Sequence, residues 1–84
     1  MDIVIRKFHD TAQRNVWCFQ NEEGEIINSK GESHFMNGGW SSRAEAQIVA
    51  KQLLRKGKFK SVRCEYRCKD ADGVWTTQLK TLNA

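Results

Sequence analysis

Residues 42–57 read Ser42-Arg43-Ala44-Glu45-Ala46-Gln47-Ile48-Val49-Ala50-Lys51-Gln52-Leu53-Leu54-Arg55-Lys56-Gly57. Ser42 and Glu45 have the spacing of a capping box, in which hydroxyl and carboxylate satisfy the free N–H groups of a first helical turn. Ala46, Val49, Ala50, Leu53 and Leu54 then recur at helical spacing and predict one buried stripe. Gly57 supplies a left-handed stop. Arg43, Gln47, Lys51, Gln52, Arg55 and Lys56 are expected on the outer face. Lys51, Arg55 and Lys56 also suit the negative end of the helix dipole.

The segments on either side of this helix read as strands. Ile3 to Phe8 and Val16 to Gln20 alternate and are rich in β-branched and aromatic residues. Asn21-Glu22-Glu23-Gly24 is a turn, and Glu25 to Ser29 returns as a third strand of a hairpin. Ser33 to Trp40 admits either a short strand at His34-Phe35-Met36 or a loop, ended flexibly by Gly38-Gly39. Beyond the helix, Val62, Cys64, Tyr66 and Cys68 alternate with Arg63, Glu65, Arg67 and Lys69, the pattern of a strand with one wet face. Asp70-Ala71-Asp72-Gly73 turns the chain back into Val74 to Leu82, with Trp75, Thr77 and Leu79 on one side and Thr76, Gln78 and Lys80 on the other. The order β-β-β-α-β-β predicts an α+β domain: an antiparallel sheet of about five strands with one helix packed on one face. A chain of 84 residues is one such domain, residues 1–84, with a thin core.

Charge is distributed unevenly along the chain. Residues 1–40 carry a balance of −2 and residues 41–84 a balance of +6. Within the second half, eight of the nineteen residues from 51 to 69 are Lys or Arg, opposed only by Glu65. They are Lys51, Arg55, Lys56, Lys58, Lys60, Arg63, Arg67 and Lys69. Such a concentration favours a polyanion or an acidic protein surface as partner. Arg63, Arg67 and Lys69 are expected to share one exposed strand face. Trp40 and Phe59 flank the basic region and are weighed as stacking platforms against the more ordinary role of core aromatics. No helix-turn-helix, KH or RRM signature is visible.

Other chemistries find less in the residues. Glu65, Arg63, Arg67, His34 and His9 supply the types a small ribonuclease uses, but no spacing joins them, and Glu65 reads as a cross-strand ion partner. Cys18, Cys64 and Cys68 are too few for a disulfide framework. Cys64 and Cys68, four apart on a strand, stand about 13 Å apart, beyond disulfide reach or a shared ion. They read as buried thiols of a reducing compartment. No cofactor or metal is implied, and no apolar run reaches the roughly 20 residues of a membrane helix. The start of the chain lacks a signal-peptide core, so a cytoplasmic location is expected.

The stretch Trp17-Cys18-Phe19-Gln20-Asn21-Glu22-Glu23-Gly24-Glu25-Ile26-Ile27, followed by Trp40-Ser41-Ser42-Arg43-Ala44-Glu45-Ala46, resembles two known patterns over residues 16–56. One is the amino-terminal arm-binding domain of tyrosine recombinases, which lays a three-stranded sheet on DNA. The other is a family of small uncharacterised bacterial ββα domains. The resemblance implies the strand–strand–helix architecture; residues 60–82 fall outside it. In size, compactness and charge the chain is also similar in type to small phage-encoded inhibitors of host toxins or defence complexes, without a shared motif.

The residues therefore predict a non-catalytic binding domain whose basic face contacts RNA or DNA phosphates, by itself or within a protein–nucleic-acid complex. The alternative is a protein-directed inhibitor or adaptor. An unpaired edge strand at Ile3–Phe8 or Val74–Leu82 also suits pairing across a homodimer.

Overall fold

The computed structural model describes residues 1–9, 14–32 and 39–84. The elements are β1 (Asp2–His9), β2 (Asn15–Gln20), β3 (Ile26–Ile27), α1 (Arg43–Arg55), β4 (Ser61–Lys69) and β5 (Trp75–Leu82). The strands form one sheet in the order β3-β2-β1-β4-β5, so the fold is α+β. The short-strand alternative at His34-Phe35-Met36 lies outside the described residues.

The sheet is antiparallel except at its centre, where β1 and β4 run parallel, with Ile3 beside Val62 and Ile5 beside Cys64. The five-stranded, mainly antiparallel sheet is as expected, and this one parallel pairing is the refinement the structure adds. The physical reason is the helical return. The chain leaves β3 at the outer edge and crosses the sheet as α1. It comes back to the end where β1 begins, fixed by the Lys60 N–H donating to the Met1 carbonyl at 2.8 Å. β4 then fills the open edge of β1 and must run alongside it. Ile3–Phe8 is thus central rather than an edge. Among the described residues, the edges are β3 and β5.

The helix forms where the capping spacing predicts, with one adjustment. Ser42 is the N-cap, and its hydroxyl accepts from the Glu45 N–H at 3.2 Å. The Glu45 carboxylate instead takes the Ser41 hydroxyl, at 3.1 and 3.2 Å. At the other end Gly57 has φ +75°, and the N–H groups of Gly57 and Lys58 close onto the Leu54 and Leu53 carbonyls.

Ala46, Ala50 and Leu53 are buried against Ile3, Ile5, Phe19, Ile27, Val62 and Cys64. Each large apolar side chain buried this way contributes about 1.5–3 kcal/mol, which is how a domain this small stays folded. Phe19 sits at the centre, its ring 4.5 Å from that of Trp40 and 5.3 Å, edge-on, from that of Phe59. Arg43 and Gln47 do not lie on the outer face. The Arg43 guanidinium rests 4.0 Å from the Tyr66 ring centroid and 5.5 Å from that of Trp17, and Gln47 donates to the Tyr66 hydroxyl at 2.9 Å. The sheet is wider than the stripe of alanines and leucines covers, and these longer side chains fill its margin. Ala44, Glu45, Ile48, Gln52 and Arg55 form the exposed side.

Three turns share one construction. In Asn21–Glu25, Asn28–Glu32 and Asp70–Val74, the first side chain accepts from the N–H groups two and four residues on. The fourth residue is a glycine, with φ of +82°, +85° and +78°. In each the glycine is left-handed; Asn21–Glu25 joins β2 to β3 and Asp70–Val74 joins β4 to β5 as hairpins. The last of them sets the β4–β5 register: Arg63 opposite Thr81, Glu65 opposite Leu79, Arg67 opposite Thr77 and Lys69 opposite Trp75.

Candidate nucleic-acid interface

Alternation along β4 decides where its charges go. Val62 and Cys64 are buried toward the helix, so Arg63, Glu65, Arg67 and Lys69 project from the opposite face of the sheet. Arg63, Arg67 and Lys69 are exposed. Arg63 and Lys69 stand about 20 Å apart along the strand.

The eight basic residues anticipated as one face do not share one. Lys51, half-buried, and the exposed Arg55 and Lys56 belong to the helical layer. Lys58 and Lys60 lie exposed on the loop at the end of the sheet, between the two sides. The division follows from a two-layer fold: the wet side of β4 must point away from the helix that covers its dry side.

The acids on the open face are held by local partners. Glu65 is paired with Arg6 of the neighbouring strand at 3.1 Å, as its sequence position suggested, with side chains 19% and 36% exposed. At the β4 entrance the Asp2 carboxylate accepts from the Ser61 hydroxyl at 2.6 Å. That hydrogen bond, with nearby Lys60, the N-terminus and Arg63, holds the Asp2 carboxyl below its usual range despite an opposing contribution from desolvation. Lys60 and Arg63 are therefore partly offset at that end; at the other, Arg67 and Lys69 lead into the turn acids Asp70 and Asp72, of which Asp70 accepts from the Asp72 and Val74 N–H groups.

That end also carries an aromatic ring. Trp75 is 56% exposed, and its ring centroid lies 5.3 Å from the Lys69 ammonium and 5.7 Å from the Arg67 guanidinium. Both are within cation–π range. Leu79, 36% exposed, lies on the same side of β5, by the same alternation as Trp75 and Thr77. Trp40 and Phe59, weighed from the sequence as stacking platforms against core aromatics, take the core role. Phe59 is 3% exposed, and Trp40 is half-buried against Phe19. The signal for Trp75 was present: once the Asp70–Gly73 turn sets the register, Trp75 falls directly opposite Lys69.

Of the ribonuclease-like set, Arg63, Glu65 and Arg67 share the open face of β4, and His9 does not join them. His9 continues the helix-facing alternation of Ile3 and Ile5, and His34 lies outside the described residues. Among the described residues no group of three His, Cys, Asp or Glu is placed to hold a metal ion. The three cysteines are thiols rather than disulfides; burial pushes those of Cys18 and Cys64 up from their usual pKa. Among the described residues, no helix is long and apolar enough to cross a membrane.

Comparison with protein-family models, curated proteins and solved structures found no match to this chain.

Proposed function

We propose that this domain is a non-catalytic binding protein that contacts the phosphates of RNA or DNA through the open face of β4. Arg63, Arg67 and Lys69 form the contact line, and Lys58 and Lys60 extend it around the end of the sheet. Lys51, Arg55 and Lys56 add to the positive field from the helical layer without touching the same strand of nucleic acid. The observation that carries this reading is the spacing of three exposed cations on one strand face whose intervening acid, Glu65, is neutralised by Arg6. Phosphates repeat along a backbone, and a periodic line of cations meets them without reading sequence.

The test is Arg63→Glu with Arg67→Glu. Both side chains are exposed, so the double variant retains its melting temperature within a few degrees and loses binding to an oligonucleotide. Retained binding in a folded double variant overturns the reading.

A second reading has its own support. β5 pairs with β4 along eight residues and is an edge of the sheet. An edge strand of this length suits strand addition by a partner protein or by a second copy of this chain. A protein complex that survives nuclease treatment favours this inhibitor or adaptor role.

A further inference from the structure

We infer that the nucleic acid taken by this face is single-stranded, with Trp75 as the platform on which an unpaired base stacks; this rests on the phosphate-binding reading above. A tryptophan in a small domain ordinarily contributes its ring to the core, as Trp40 does here against Phe19. Trp75 does not. It is 56% exposed at the start of β5, on the side of the sheet away from the helix, and the two cations nearest its ring are members of the phosphate-contacting line. A base laid on the exposed indole brings its flanking phosphates within reach of Arg67 and Lys69. Stacking and charge neutralisation then come from one cluster, the combination by which sequence-tolerant single-strand binders work.

A duplex fits the same surface poorly. Its bases are stacked on one another and leave the indole without a partner. The β4–β5 ribbon also cannot enter a groove tip-first at no cost, because the tip is Asp70-Ala71-Asp72-Gly73 and presents two acidic residues to the phosphate walls. Thr77 and the partly exposed Leu79 continue the face along β5, a surface that accepts further unstacked bases without hydrogen-bond readout. The ligand is thus defined by unpaired bases joined by phosphates, RNA or DNA alike.

The experiment uses the whole chain and one end-labelled oligonucleotide sequence, as single-stranded RNA, single-stranded DNA and duplex, titrated by fluorescence anisotropy at one salt concentration. Single strands are expected to bind tenfold or more tighter than duplex. Trp75→Ala is expected to weaken single-strand binding by roughly tenfold and to leave duplex binding unchanged, since stacking contributes about 1–3 kcal/mol per base. Trp75→Phe should retain most of the affinity, and the melting temperatures of both variants report that the fold is intact. Equal binding of single strand and duplex, with Trp75→Ala neutral and the Arg63/Arg67 reversal still damaging, overturns the stacking inference and leaves the phosphate reading standing. Absence of binding to all three forms overturns both.

Discussion

Lys69 and Trp75 face one another across the β4–β5 pair, the ammonium 5.3 Å from the indole centroid, at the end of the sheet remote from where β1 and β4 begin. α1 packs over β1, β2 and β4, so this corner protrudes from the body of the domain. An exposed ring and two cations held on a paired hairpin form a surface that is both accessible and fixed in shape. Less side-chain freedom is then lost when a ligand orders them.

Glu65 makes stability and binding move in opposite directions. Its carboxylate holds Arg6, whose Nε is buried without a hydrogen-bond partner among the described residues, and it also sits between Arg63 and Arg67 on the proposed contact line. Glu65→Gln is expected to lower stability by about 1 kcal/mol, as for a partly buried ion pair near the surface, and to strengthen oligonucleotide binding severalfold. Urea melts and anisotropy titrations check the two directions. A variant that loses both argues that the pair serves the fold alone and that the face carries no phosphate.

The hairpin turn is expected to control the site indirectly. A Cβ added at Gly73 would meet no atom within 4 Å, yet φ is +78°, so Gly73→Ala is disfavoured by backbone conformation rather than by contact. It should destabilise the domain by about 1 kcal/mol, and Gly73→Asn by less, because Asn tolerates the left-handed region. Asp70→Ala removes the acceptor for the Asp72 and Val74 N–H groups and should cost about as much as losing a helix N-cap, ~1 kcal/mol. Equilibrium unfolding of the three variants tests the ranking; an alanine at 73 as stable as glycine would contradict it.

Local signals in the sequence carried most of the fold. Ser42 and Gly57 mark the helix ends because caps are chemistry of single residues, and strand alternation shows which residues of β4 are dry. The parallel pairing of β1 with β4 was not legible, since register between strands nearly sixty residues apart depends on where the helix returns the chain. The Asn28–Gly31 turn was legible in principle, through the same Asx-x-x-Gly spacing as Asn21–Gly24 and Asp70–Gly73. Charge density located the basic segment but not its division between two layers, because proximity in sequence says nothing about which side of a sheet a residue faces. Alternation put Trp75 on one side with Thr77 and Leu79, and its place opposite Lys69 follows once the Asp70–Gly73 turn sets the register.

The most direct measurement is the affinity of the unaltered protein for a single-stranded oligonucleotide across a salt series. If Arg63, Arg67 and Lys69 each neutralise one phosphate, the plot of log K against log salt should slope at about −2, steepening toward about −3.5 if Lys58 and Lys60 also engage. The Arg63→Glu/Arg67→Glu variant should flatten it. An affinity indifferent to salt, or no binding at low salt, would contradict the account and leave the β5 edge as the surface to pursue.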